Sequence, residues 1–220
     1  MASHRALIVA ASSADQLANL RDRPPLLIAA DSGLHAVLDR GWTPDLVIGD
    51  LDSATAAAVE TARSAGAAVE TADIGKDETD LELALAAAIT RGATDIRIVV
   101  RSDGRLDHQL ANLAVLAAPQ FAAAQISGAI GEHEVWVIRG ERQLQLEPGQ
   151  PFALVPIGGP ARVTSSGVAF PLAGEELSPF SGRGIANTVT DPVVRLRVDR
   201  GVVIALSTPT EPSGPDDAPR

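Results

Sequence analysis

The chain predicts an α/β domain built on a parallel sheet, followed by a small β-sandwich domain. Three observations carry that reading. Up to about residue 126, short apolar runs alternate with longer Ala/Leu-rich stretches of helical period, the pattern of a parallel sheet covered by helices on both faces. From about residue 130 the helical period fades, and strand-like pieces are separated by Pro and Gly. The 220 residues, 45% hydrophobic and 21% charged, suffice to bury one large core or two modest ones. The expected organisation is therefore an α/β domain over residues 1–126, a β-sandwich over 130–207 and an unstructured, proline-rich tail over 208–220.

Taken in order, apolar β-like runs lie at Leu7-Ile8-Val9, the first expected as a buried strand, then at Leu26 to Ala30, Leu46 to Gly49, Ala67-Ala68-Val69 and Ile96 to Val100. Helices are expected near 14–20, 33–40, 54–65, 79–91 and 106–117. The fourth has the clearest start: Thr79 with Glu82 forms a capping-box pattern, and Arg91-Gly92 supplies a cation and a helix-stopping glycine. The second half reads as strands at 134–139, 142–146, 152–156, 161–164, 193–198 and 201–206.

Composition narrows the function. A formal net charge of −10 opposes binding to nucleic-acid backbones or anionic membrane surfaces and favours metal ions and cationic small molecules. The absence of cysteine removes disulfides, thiolate ligands and a cysteine nucleophile, and fits a cytoplasmic location. The apolar run Ala6 to Ala11 is too short for a signal-peptide core or a membrane span. Of 18 basic side chains only Lys76 is a lysine, and it lies in the most charged short motif; replacement of Lys by Arg everywhere else accounts for this as well as function does.

In open parallel sheets, ligands bind outside the carboxyl ends of the strands. There the second strand runs into Asp31-Ser32-Gly33 and the third into Asp50-Leu51-Asp52-Ser53. The fourth turn carries Lys76-Asp77-Glu78-Thr79-Asp80, and the fifth strand leads to Asp103-Gly104-Arg105-Leu106-Asp107-His108. Carboxylates at four exits repel one another unless a cation neutralises them, and an oxygen-rich set without Cys favours Mg²⁺ with bound phosphates. Asp50 and Asp52, two apart, fall on one side of an extended strand end, with Leu51 pointing into the core. Taken singly, Asp31 and Asp77 read as helix N-caps as readily as ligands. Arg105 reads as a phosphate fork or a surface ion-pair residue, and His108 as a nucleotide contact or a helix-end histidine. There is no P-loop, no G-x-G-x-x-G after a strand, no H-E-x-x-H and no G-x-S-x-G, so a nucleotide would be held by carboxylate-bound metal and arginine.

Together, Ala30-Asp31-Ser32-Gly33, the stretch Pro44 to Ser53, Lys76 to Asp80 and Gly104-Arg105-Leu106-Asp107-His108 resemble the thiamine pyrophosphokinase family. Thr164 to Leu172 and Ser181 to Asn187 look like that family's two thiamine-side motifs, so the resemblance covers about residues 26–206. It implies an α/β catalytic domain, a β-sandwich domain and a homodimer with thiamine at the subunit interface. The implied activity is transfer of a pyrophosphoryl group from ATP to the thiamine hydroxyl, with Mg²⁺ required and AMP released.

Carried over by residue, the resemblance implies that Asp50, Asp52 and Asp80 hold Mg²⁺ with Asp31 close by. Arg105 and Asp107 would face the nucleotide phosphates, supported by Thr79, His108 and Lys76. Phe170 would stack on thiamine, with Asn187 and Ser181 in the loop that reaches the vitamin. Either Asp80 or Asp107 would accept the hydroxyl proton. Two departures stand out: Ser102-Asp103 precedes Gly104 where relatives carry glycines, and Ala186 replaces a frequent serine. The rival readings are a diphosphokinase for another hydroxymethyl heterocycle such as a pterin, and a non-catalytic binding module, against which the complete set of carboxylates speaks.

Overall fold

Five apolar runs become the parallel strands that organise the first half of the chain. The computed structural model describes residues 4–209 except 19, 74, 76, 103 and 104. The chain divides into two units, Met1–Gly131 and Glu132–Arg220.

In the first unit, β1 (Arg5–Ala10), β2 (Leu26–Ala30), β3 (Leu46–Gly49), β4 (Ala68–Thr71) and β5 (Asp95–Val100) alternate with α1 (Gly33–Asp39), α2 (Ala56–Ser64) and α3 (Asp80–Thr90). After β5 come α4 (Leu106–Leu116) and a sixth strand, β6 (Gln125–Ile130). The sheet order is β6-β5-β1-β2-β3-β4 with every pairing parallel. The chain winds outward from β1 to β4, then crosses back to place β5 on the other side of β1. That reversal creates a switch point between β1 and β5.

Alternation along the strands divides the core between two faces. Leu7 and Val9 of β1 join Leu27 and Ala29 of β2 and Leu34 and Val37 of α1 in one cluster. Ile8 and Ile28, fully buried, face the other way, where α3 packs on β1, β2 and β3. Each Leu, Ile or Val among these contributes about 1.5–3 kcal/mol by leaving water.

In the first unit, a helix and a strand depart from the sequence expectation, and in the second unit Ala173–Leu177 and Asn187–Thr188 are strands it did not mark. The helix expected at 14–20 is a single 3-10 turn, Ala14–Leu17, closed by a capping box between Ser13 and Gln16. Gln16 also donates to the Gly131 carbonyl (3.3 Å), and Leu17 is the turn's one buried residue, so little apolar area rewards a longer helix. Strand β6, which the apolar pattern did not mark, extends the sheet beyond β5.

The second unit contains β7 (His133–Ile138), β8 (Glu141–Gln145), β9 (Pro151–Pro156), β10 (Ala161–Ser166), β11 (Ala173–Leu177), β12 (Asn187–Thr188), β13 (Val193–Arg200) and β14 (Val203–Ser207). They form two antiparallel layers, β12-β9-β14-β7 and β11-β10-β13-β8. One cluster joins the layers, with Ile138, Leu154 and Val203 from the first and Leu144, Val163, Leu177 and Leu196 from the second, which makes a sandwich. On β13, Val194, Leu196 and Val198 point inward while Arg195 and Arg197 point out. Of the tail expected from 208, residues 210–220 lie outside the described residues.

Candidate active site

The strand exits of the first unit enclose a crevice of about 290 Å³ at the switch point. Ala10 at the end of β1, Ala11 after it and Val100 at the end of β5 line it, together with Asp31 after β2 and Asp50 after β3. Ser32 and Glu78 add polar groups, as do Thr79 and Asp80 at the start of α3 and His108 and Asn112 one turn apart on α4. The backbone here is strained. Ala11 (φ 45°), Asp31 (φ 45°) and Leu51 (φ 60°) are left-handed non-glycine residues at three successive strand exits. Such conformations cost about 1–3 kcal/mol each and gather where a site dictates the path of the chain.

Asp31, Asp50 and Asp52 each bring a carboxylate oxygen within 4.8 Å of the others. Asp31, only 9% exposed, accepts from the Ser53 amide at Oδ1 (3.2 Å), and its own amide donates to the Ile48 carbonyl (3.0 Å). Asp50 Oδ1 accepts from the Asp52 amide (3.2 Å), and Ser53 Oγ donates to Asp52 Oδ1 (2.9 Å). The Thr55 amide donates to His35 Nε2 (3.4 Å), which ties the far end of this loop to α1. Among the described residues, none of the three carboxylates is in a salt bridge.

This geometry corrects the picture of an extended strand end. Strand β3 stops at Gly49, and it is the left-handed Leu51, packed on the core, that turns Asp50 and Asp52 toward each other. Gly49 itself (φ 139°) is required: a Cβ there would sit 2.9 Å from Asp80 Oδ1 and 3.3 Å from Asp31 Cβ. Asp80 thus approaches the cluster over the Gly49 backbone.

The N-cap alternatives are also decided. Asp31 directs its side chain to Ser53 rather than to α1. Helix α3 is capped by Thr79, whose Oγ1 accepts from the Glu82 amide (3.2 Å), while Asp77 is exposed. The reciprocal half of the expected capping box is replaced by a bond from Gln120 Nε2 to the Glu82 carboxylate (3.3 Å).

Arg105 and Asp107 are exposed and outside the crevice lining. The guanidinium forks onto the carboxylate at 3.1 and 2.5 Å, the ion-pair arrangement left open by the sequence. That hydrogen bond holds the Asp107 carboxyl below the usual carboxylate range and raises Arg105 further. Lys76, Asp103 and Gly104 lie outside the described residues. Asn112 was missed by the sequence reading; its four-residue spacing from His108, on the same helix face, is the signal that could have found it.

The residues expected on the thiamine side, Phe170, Asn187 and Ser181, lie in the second unit. Phe170 is 71% exposed, an unusual position for a large ring. Asn187, buried, holds it there: Oδ1 accepts from the amides of Phe170 (3.0 Å) and Thr188 (2.9 Å), and Nδ2 donates to the Phe170 carbonyl (2.9 Å). Ser181 is exposed and accepts at Oγ from the Arg183 amide (3.2 Å). Ala186, beside Asn187, is left-handed at φ 55°.

Fold and site together define a doubly wound α/β ligand-binding protein, with an all-oxygen acidic cluster at its crevice, joined in one chain to a β-sandwich. Residues 17–127 match the family model described as thiamin pyrophosphokinase, catalytic domain, and residues 136–203 match that described as thiamin pyrophosphokinase, vitamin B1 binding domain. The chain belongs to the thiamin pyrophosphokinase family, whose known activity is pyrophosphoryl transfer from ATP to thiamine. It is 35% identical to thiamine pyrophosphokinase of Bacillus subtilis (strain 168) over 100 residues, covering 46% of this chain and 47% of that protein, so this match spans about half the length of the relative. It is 24% identical to thiamine pyrophosphokinase 1 of Oryza sativa subsp. japonica over 216 residues, covering 86% and 81%. The fold is similar to solved structures of thiamine pyrophosphokinase from Bacillus subtilis (TM-score 0.81, 24% identity, 94% of this chain and 100% of that one) and thiamin pyrophosphokinase from Candida albicans (TM-score 0.75, 13% identity, 94% and 90%). No helix among the described residues is long and apolar enough to cross a membrane.

Proposed function

We propose that this chain transfers a pyrophosphoryl group from ATP to the hydroxyl of thiamine, giving thiamine pyrophosphate and AMP. The observation that supports this most directly is the convergence of Asp31, Asp50 and Asp52 at the switch-point crevice. The donor set is carboxylate oxygen throughout, which suits Mg²⁺, and Asp50 and Asp52 with Asp31 and Asp80 would hold it. When bound, the metal neutralises the polyphosphate and spreads the charge that develops on its oxygens.

The remaining work falls to the protein's own side chains. Thr79 and Asp80 mark the N-terminus of α3, where backbone amides and the helix dipole favour anionic phosphate. His108 and Lys76 would contact the nucleotide, and Arg105 would exchange its fork on Asp107 for phosphate oxygens. The thiamine oxygen attacks the β-phosphorus, and the bond from that phosphorus to the α–β bridging oxygen breaks. AMP departs, and the hydroxyl proton passes to a carboxylate, Asp80 or Asp107. Positioning and fixed charge supply most of the barrier reduction in such transfers.

On the acceptor side, the exposed Phe170 ring offers an aromatic face to a cationic heterocycle, steadied by Asn187, with Ser181 nearby in sequence on the neighbouring loop. We place the vitamin at the interface of a homodimer and the enzyme in the cytoplasm. Incubating the protein with ATP, Mg²⁺ and thiamine should yield thiamine pyrophosphate and AMP in equal amounts. Formation of ADP, or no thiamine pyrophosphate, overturns the reading. Light scattering should give twice the chain mass, and a monomer overturns the dimer.

A further inference from the structure

On the β-sandwich, the outer face of β8, β13 and β10 carries a concavity of about 380 Å³ that the reaction above does not use. Strand register fixes its lining as two rows. Ser166 pairs with Arg195 and Arg195 with Gln143; Thr164 pairs with Arg197 and Arg197 with Glu141. All six line the concavity. Arg195 and Arg197 are two apart on the outward side of β13, so their stems stand about 6.6 Å from each other on one face.

Their partners are few. The Arg195 side chain makes no hydrogen bond or ion pair among the described residues, and the Arg197 side chain reaches only its strand neighbour Asp199 (3.1 Å). Glu141, opposite Arg197 in register, is not paired with it among the described residues. With Arg142, three arginines line the concavity beside one carboxylate, Glu141, a local excess of positive charge in a chain of net charge −10.

We propose that this face binds a diphosphate group. Each guanidinium takes one phosphate in bidentate fashion, and Ser166 and Thr164 donate from the adjacent strand. Three diphosphate sources share this chemistry: inorganic pyrophosphate, a nucleoside diphosphate and thiamine pyrophosphate. A nucleic-acid strand is disfavoured by the chain's net charge.

The full chain is titrated calorimetrically with inorganic pyrophosphate at fixed ionic strength in EDTA, where the metal-free acidic crevice repels the anion. One site per chain is expected, weakened about tenfold or more by Arg195→Ala or Arg197→Ala and partly retained by Arg195→Lys. Sulfate should bind about tenfold more weakly, because it engages one fork only. ADP or thiamine pyrophosphate binding with the same arginine dependence supports the site and names its source. No binding by the wild type, equal binding by the alanine variants, or equal affinity for sulfate overturns it. So does an Arg195→Ala/Arg197→Ala chain that loses its oligomeric state with binding unchanged, since the face is then a contact between copies. Thiamine pyrophosphate formation by Arg195→Ala is assayed separately, so failure of the anion site and failure of the catalytic reading remain distinct.

Discussion

At the exits of β2 and β3, three carboxylates crowd within 4.8 Å and no basic side chain among the described residues answers them. Around Phe170 the situation is the reverse: Oδ1 and Nδ2 of Asn187 are both engaged, and a neutral ring is held out into solvent. Both regions rely on left-handed non-glycine residues, Asp31 and Leu51 at the two strand exits and Ala186 beside Asn187. The shared device serves different ends. In the α/β unit, strained backbone gathers like charge; in the sandwich, it lies beside an amide whose polar atoms are already paired.

Breaking the acidic side should have the largest effect. Asp52→Asn is expected to lower AMP formation about 10²–10³-fold. Its thermal stability without metal should be unchanged or raised, because a like charge is removed from the cluster. Wild-type turnover with Mg²⁺ limiting would remove Asp52 from the metal site. Gly49→Ala should reduce activity and also destabilise the fold by about 1–3 kcal/mol in denaturant unfolding, since φ 139° and the Asp80 contact both oppose a Cβ.

The sandwich side should separate into stability and recognition. Asn187→Ala abolishes the bonds that hold the Phe170 backbone and should cost about 1–3 kcal/mol, with a raised KM for thiamine. Phe170→Ala should raise that KM about tenfold with the KM for ATP unmoved, and with stability within about 0.5 kcal/mol because the ring is exposed. A stability loss in Phe170→Ala matching that of Asn187→Ala would show that the ring supports the fold instead.

The smallest effect concerns Arg105. Asp107 is held below the usual carboxylate range, first by its hydrogen bond from Arg105. The pair's stabilisation is therefore complete above that range and is lost as pH falls through the depressed value. In Arg105→Ala, an NMR titration of the Asp107 carboxyl should move back up; an unmoved midpoint would discount the ion pair.

Much of the α/β unit was legible because parallel strands buried on both faces read as uninterrupted apolar runs. Strand β6 escaped because Gln125-Ile-Ser-Gly-Ala-Ile130 is diluted by Ser127 and Gly128. Yet Gly128 is what lets the backbone lie against Ile98, where a side chain would collide. β12, two residues long, lacks a pattern to read, and β11 carries Gly174, Glu175 and Glu176 in its middle. At the site, strand-exit position was enough to nominate Asp31, Asp50 and Asp52. Their manner of convergence was hidden, because it depends on a left-handed leucine that no local propensity favours.

The position of β1 in the sheet also has a consequence for the newly made chain. Its residues Ala6 to Ala10 pair with β2 on one side, within the first 30 residues, but with β5 only at Ile96 to Val100 on the other. At roughly 5–20 residues per second, the ribosome leaves that second edge unpartnered for about 5–20 seconds. For that interval the emerging chain displays a wholly apolar open edge, the feature most prone to join another chain. Efficient production of this protein therefore depends on how that one strand is shielded until Val100 has been added.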